Sequence, residues 1–338
     1  MSPSGKNADD VIAIDLGGTT VKAGVVNADG KISHKVKVPT KAEDGPLAVR
    51  RQILQSVDQL FHRYPRETIA AIGIGAPGMV SLDGERVQCP PNFSDWHDYR
   101  LKEEIQSAVG IPVEVENDAN AAAIGEARFG AGRGHKNLIF VIWGTGVGGG
   151  IIVDDQIYRG AHGGAGEIGH TTIDYQGPQC NCGNKGCIEA FIGQRYLSDR
   201  TRERLEQHPN SKIVQLVGGD LSRLEPVILS QAMDLGDKLA QEILVEAGSL
   251  LGIALASVMN ILDIRFAIIG GGISAAGDIV IEEVRKSIRE RAMGPIRSSF
   301  QVVRAELGND AGLLGAASFA LSSVSGRRSQ SKLADKRD

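Results

Sequence analysis

One short pattern occurs twice in this chain, more than a hundred residues apart: an apolar strand, a glycine-rich turn, a second strand and a polar turn. The first copy is Val11 to Ile14, then Asp15 and Gly17-Gly18-Thr19-Thr20, then Val21 to Val26 and Asn27-Ala28-Asp29-Gly30. The second is Leu138 to Ile142, then Gly144-Thr145-Gly146-Val147-Gly148-Gly149-Gly150, then Ile151 to Val153 and Asp154-Asp155. A repeat on this scale fits two similar α/β domains facing a common ligand. Glycine-rich turns between strands also arise by chance, so the pattern alone leaves that reading open.

The rest of the chain keeps the α/β order. Pro46 to Tyr64 carries Ile53, Leu54, Val57, Leu60 and Phe61 at helical spacing, and Ile69 to Ile74 reads as a strand buried on both faces. Pro112 to Val115 is a further strand running into Asn117-Asp118-Ala119-Asn120 and an alanine-rich helix. A cysteine-bearing loop, a long helical region from about Leu224 to Leu262, a strand Phe266 to Ile269, the run Gly270-Gly271-Gly272 and a helix around Ile279 to Arg291 come next. The chain's 338 residues suit two domains. The ten residues before Val11 and the Ser- and charge-rich stretch 323–338 have little to bury and read as disordered.

Charge and composition exclude several partners. With 37 Lys and Arg against 41 Asp and Glu the net charge is −4, and aromatics are 4%, which argues against both duplex and single-stranded nucleic acid. The uncharged run Ala247 to Leu262 lies between Glu246 and Asp263 and is too short for a membrane helix. The opening MSPSGKNADD has no apolar core for a secretory signal, and four cysteines make no disulfide scaffold, so a reducing cytoplasm is expected. Glycine, 43 residues, is clustered rather than periodic, as where backbone approaches a ligand.

The first turn offers backbone N–H groups and two threonine hydroxyls to phosphate oxygens, with Asp15 able to hold magnesium through water; a plain hairpin turn is the alternative. The second glycine turn and Gly270 to Gly272 are further candidates, and none has the Lys-Ser/Thr of a Walker loop or a dinucleotide fingerprint. Asp118, where a strand delivers the chain into a helix, is either a helix cap or a carboxylate that accepts a proton from an attacking hydroxyl. Asn117 beside it is a turn residue or a hydrogen-bonding partner of sugar hydroxyls.

His170, Cys180, Cys182 and Cys187, with Gly183 and Gly186 between the thiols, have the spacing of a closed tetrahedral zinc site whose work is structural. A redox dithiol or chance are the alternatives. Cys89, beside Pro90-Pro91, is expected to be an unpaired buried thiol. Glu167 and Glu189 flank the loop and are either solvated charge or rigidly held acceptors for a polyol. Loss of the metal is expected to weaken sugar binding and stability while leaving the glycine loops much less affected.

Together these residues resemble the ROK family of bacterial sugar kinases and repressors, in the sugar kinase, Hsp70 and actin superfamily. The likeness runs through Asp15-Leu16-Gly17-Gly18-Thr19, Gly73-Ile74-Gly75-Ala76-Pro77-Gly78, Pro91-Asn92-Phe93 and Glu116-Asn117-Asp118-Ala119-Asn120. It continues through the second glycine turn, Gly166-Glu167-Ile168-Gly169-His170, the Cys180 to Glu189 loop and Gly308-Asn309-Asp310-Ala311-Gly312. The resemblance implies two actin-like (ribonuclease H-like) α/β domains flanking a cleft, with a zinc-stapled loop in the larger. The smaller would span 11–118, completed by a C-terminal helix at about 309–322 whose small residues from Gly312 to Ala317 let it pack closely, and the larger 119–307 with its zinc loop at 170–187.

The implied activity is transfer of the γ-phosphoryl group of ATP to the 6-hydroxyl of glucose, an early step of carbohydrate metabolism of the glycolytic kind, with Asp118 as base. Asn92, Asn117, Asp118, Glu167, His170 and Glu189 match sugar-contacting positions. ATP and magnesium would meet Asp15, Gly17, Gly18, Thr19, Thr20 and Lys22, then Gly144, Thr145, Gly146 and Gly148, then Gly271 and Gly272. The zinc ligands match as well, and a homodimer is implied. Trp143 departs from the pattern, where a smaller residue is usual, and is expected to change packing beside the phosphates. The rivals are another hexose as acceptor, or a sugar-sensing repressor, which would carry a DNA-binding region ahead of Val11.

Overall fold

The structure, a computed structural model, describes residues 10–91, 93–272 and 277–334, with side chains up to residue 326. Its backbone separates into two units. The first runs to Gly134 and also takes Ile157–Ala165 and the chain from Asn309 onward, while the second holds His135–Gln156 and Gly166–Gly308.

The first unit opens with β1 (Asp10–Leu16), β2 (Thr20–Val26), β3 (Ile32–Pro39), α1 (Pro46–Phe61) and β4 (Ile69–Ala76). The short pair β5 (Met79–Val80) and β6 (Val87–Gln88) comes next, then α2 (Leu101–Val109), β7 (Val113–Asn117) and α3 (Asp118–Phe129). The main sheet has the order β3-β2-β1-β4-β7, with β1 antiparallel to β2 and parallel to β4, and β4 parallel to β7. Nearly every residue of β1 and β4 is buried, as strands covered on both faces require, and α1 packs Val49, Ile53, Val57 and Leu60 inward at helical spacing. The register sets Asp15 opposite Lys22 and Ala76 opposite Asn117, so the candidate residues collect at one end of the strands.

The second unit repeats the plan. It contains β8 (Leu138–Trp143), β9 (Val147–Val153), β10 (Gln156–Ile157), α4 (Glu189–Ile192), α5 (Gln194–Leu205), α6 (Lys212–Leu216) and α7 (Pro226–Asp234). After these come α8 (Lys238–Leu262), β11 (Phe266–Gly270), α9 (Asp278–Arg291), α10 (Gly294–Arg297) and β12 (Gln301–Arg304). The sheet order is β10-β9-β8-β11-β12, again an antiparallel hairpin beside parallel strands. The long helical region read from Leu224 is two helices, broken at Leu235-Gly236, where Gly236 takes φ 84° and Asp237 caps α8. By length and hydropathy α8 would suit a membrane span, but Leu244, Ala247, Leu251 and Leu255 are buried in this unit's core.

The chain ends in α11 (Ala311–Ala334), which packs on α3, β1 and β4. The small residues make this approach possible: a Cβ on Gly315 would run into the Ala121 carbonyl, and one on Gly125 into that of Ala311. This packing keeps α3 in the first unit, so the boundary expected at 118 falls at Gly134, and the two units are close in size. The helix also runs past Ser323, where a disordered tail is expected from composition. Ser325 donates to the Leu321 carbonyl, so a serine that suggested a loop bonds back onto its own helix. Residues 1–9 and 335–338 of the expected disordered ends, and Asn92, lie outside the described residues.

Candidate active site and metal centre

The end of β7 builds the first part of the site. Asn117 is the N-cap of α3: its Oδ1 accepts the Asn120 N–H at 3.0 Å, and its Nδ2 donates to the Gly78 carbonyl at 3.0 Å. Asp118 is therefore the first helical residue, and the cap reading of Asp118 passes to its neighbour. Its Oδ1 accepts the Ala119 N–H at 2.8 Å and the Asn117 amide at 3.2 Å, which fixes the carboxylate at the helix N-terminus.

Three residues that sequence reasoning passed over complete this frame. Glu116, 4% exposed, accepts the Asn117 N–H and the Asn120 amide on one oxygen and the Arg159 guanidinium on the other. Glu116 stood inside a motif without a role, and since β7 carries Glu114 as well, only its burial sets it apart. Nothing in the sequence ties it to Arg159 or gives Asn120 a use.

In the first glycine turn the Gly17 N–H donates to the Thr20 carbonyl, and Lys22 donates to Asp15 Oδ2 at 2.9 Å across the β1–β2 pair. Asp15, expected as a magnesium contact, is thus also the partner of Lys22. A Cβ on Gly18 would meet nothing within 4 Å, and the same holds for Gly144 and Gly272, none of which has a positive φ. Among the described residues no contact demands glycine at these three positions, which leaves room there for a ligand to approach the backbone. Gly271 differs, since at φ 90° its Cβ would strike the Trp143 backbone. Trp143 itself is wholly buried and donates Nε1–H to the Ile192 carbonyl at 2.8 Å. Its bulk joins β8 to α4 in the core.

In the second unit the loop from His170 to Cys187 closes on itself. Gly183 and Gly186 take φ of 91° and 72°, left-handed turns that fold the three cysteines back toward the histidine. The four ligand atoms lie within 4.8 Å of one another, with 3.7 Å between Cys182 and Cys187 Sγ and 3.7 Å between Cys180 Sγ and His170 Nδ1. Zinc bonds of about 2.3 Å to sulfur and 2.0 Å to nitrogen require tetrahedral ligand separations of about 3.5 to 3.8 Å, so the set fits the metal. Burial pushes the Cys187 thiol up to about 12 and raises Cys180, whereas the Asn184 N–H lowers Cys182. Without a cation these thiols resist ionising together. Bound zinc would hold the loop, and every described ligand position is filled by protein. Cys89, expected to be buried, is exposed just after β6 at φ 43°.

With Nδ1 among the thiols, His170 turns Nε2 toward Glu167, 3.9 Å from Oε2. Burial raises the Glu167 carboxyl above its ordinary value and the Glu189 charge adds to this, while His170 opposes it. Glu189 begins α4 and accepts the Val147 N–H on Oε2 at 2.9 Å, so it also fastens the second glycine turn. Two carboxylates and an imidazole in one rigid frame suit a ligand rich in hydroxyl donors.

Comparisons with known proteins agree with this geometry. The ROK family model matches residues 11–323. The glucokinase of Thermotoga maritima is 36% identical over 316 residues, covering 94% of this chain and 98% of that protein. The xylose repressor of Bacillus subtilis is 31% identical over 323 residues, covering 94% of this chain and 78% of its own length. A crystal structure of a ROK family glucokinase from Streptomyces griseus, in complex with glucose and AMPPNP, superposes with a TM-score of 0.82 at 37% identity, covering 92% of this chain and 99% of that one.

Proposed function

The chain belongs to the ROK family, and on that premise we propose that it is a glucokinase in which Asp118 takes the proton of the glucose 6-hydroxyl as that oxygen attacks the γ-phosphorus of ATP. The protein is an ATP-dependent sugar kinase. The new bond joins O6 to phosphorus, the bond from phosphorus to the β–γ bridging oxygen breaks, and ADP leaves. The observation that carries the reading is that Asn117 caps α3, which releases Asp118 from that duty at the start of the helix. Asn117, Glu167, His170 and Glu189 orient the sugar, and the open glycines Gly18, Gly144 and Gly272 receive the nucleotide. Magnesium, when bound, neutralises charge on the β- and γ-phosphates, with Asp15 the residue placed to hold its waters.

A repressor would share the sugar frame, but it has no need of Asp118 or of three glycines kept open for a ligand. Three free thiols gathered as metal ligands, Cys180 and Cys187 buried and Cys182 exposed, support a reducing cytoplasm. Exposed Ile261 and Met293, brought near by the Met293 N–H to Asn260 Oδ1 bond, support a homodimer through the second unit. ADP formation measured across glucose, fructose, mannose, N-acetylglucosamine and N-acetylmannosamine tests the function. Glucose should give the highest kcat/KM, and a higher value for any other sugar would replace it as acceptor.

A further inference from the structure

Glu116 and Arg159 take no part in the chemistry above, and we infer that this ion pair is a positioning element for the acceptor site, holding the start of α3 so that Asp118 meets the sugar hydroxyl. Glu116 divides its two oxygens between two tasks. One gathers the Asn117 N–H and the Asn120 side chain at 3.0 Å each, and the other takes both Arg159 Nε and an Arg159 terminal nitrogen at 2.6 Å. Asn117 in turn donates to the Asp118 carboxylate, so the pair reaches the base through one residue.

Three observations argue for a role beyond stability. Glu116 is buried while its partner Arg159 is 39% exposed, and because desolvating a buried carboxylate offsets much of such a pair's attraction, stability alone is a poor reason to keep it. Among the described residues the network also leaves Asn120 Oδ1 buried without a hydrogen-bond partner, a cost to stability. Finally, Arg159 comes from Ile157–Ala165, a segment that belongs to the first unit although its chain neighbours on both sides belong to the second. That segment is seated closely: a Cβ on Gly163 would strike the Val80 carbonyl, and one on Gly164 would crowd Met79. It ends two residues before Glu167. Arg159 thus ties the stretch of chain that leads into the sugar-binding carboxylate to the helix that carries the base.

Glu116 and Arg159 also line a cavity of about 260 Å³ shared with Ser81, Asp83, Glu114 and Phe319. Truncating Arg159 would open a path by which a free guanidinium ion could reach Glu116. The test is Arg159→Ala, with kcat and both KM values measured in guanidinium chloride at tens of millimolar and in sodium chloride of equal ionic strength. Turnover should fall roughly 10- to 100-fold, as when an orienting partner is lost, with the KM for ATP little changed. Guanidinium should restore much of the loss and sodium none. Glu116→Gln should lose as much without rescue, and the double variant no more than Glu116→Gln alone, because the two act as one unit. Near-normal turnover in Arg159→Ala, or a loss that guanidinium leaves unchanged, would overturn the inference. Should Arg159→Ala not fold, Arg159→Lys carries the test, with a kcat loss at unchanged KM for ATP expected and wild-type kcat overturning it. The inference rests on Asp118 as base. A failure of that reading shows as turnover in Asp118→Asn, and a failure of the pair as unaltered or unrescued turnover in Arg159→Ala.

Discussion

The two glycine turns share a plan and are held by different means. The first is fastened within its own sheet: the Thr40 hydroxyl donates to the Gly17 carbonyl at 2.6 Å and the Thr40 N–H to the Thr19 carbonyl at 2.9 Å. The second is fastened by residues just beyond the metal loop. Val147 N–H donates to Glu189, two residues past Cys187, and Gln194 N–H donates to the Gly144 and Thr145 carbonyls. A repeated backbone therefore does not imply repeated support. The first turn should keep its shape without the metal, and the second should not, which revises the expectation that metal loss spares the glycine loops.

The sharpest division predicted by this comparison is that chemistry belongs to the first unit. Asp118→Asn should lower kcat by about 10² to 10⁴-fold while glucose binding stays measurable, since the amide keeps hydrogen bonding but accepts no proton. Retention of more than a tenth of kcat would break the assignment.

Paired glycine variants probe the two turns next. Gly18→Val meets open space in the protein, so it should raise the KM for ATP far more than that for glucose. A tenfold rise corresponds to about 1.4 kcal/mol of lost nucleotide binding. Gly146→Ala places its Cβ against the Glu189 carboxylate and should raise both constants. Equal behaviour of the two variants in steady-state kinetics would erase the distinction between the turns.

The smallest effect concerns stability of the second unit apart from its metal. Burial works to raise the Asp237 carboxyl, but hydrogen bonds from the Ala240 N–H, the Ser211 hydroxyl and the Lys212 N–H outweigh it and hold it below its ordinary value. A depressed folded value gives stability that is present above the unfolded value near 3.8 and lost as pH falls through the folded one. Asp237→Ala should cost about 1 to 2 kcal/mol at neutral pH, as loss of a helix cap does. Urea melts should show that gap narrowing in acid, and a constant gap would deny the carboxylate its part.

Much of this was legible in the sequence where a local pattern carries its own geometry. The repeated strand and turn marked both sheets, and Cys-x-Cys-x4-Cys with its glycines and preceding histidine marked the metal cluster, because left-handed turns and ligand spacing are local. Residues that act across the chain left no such trace. Arg159 meets Glu116 over 43 positions, and Thr40 reaches Gly17 over 23. The close packing of Ala316 on Gly73 was legible from the small residues of that helix, but its continuation past Ser323 was not, because composition cannot see a serine such as Ser325 bonding back onto the helix that carries it.

The claim that the metal loop supports the second glycine turn is tested most directly by titrating a non-hydrolysable ATP analogue against the protein before and after zinc removal, with metal content measured in each sample. The account predicts stoichiometric zinc in the untreated protein, a clear loss of analogue affinity on its removal, and recovery when zinc is returned. Unchanged affinity in zinc-free protein would contradict it.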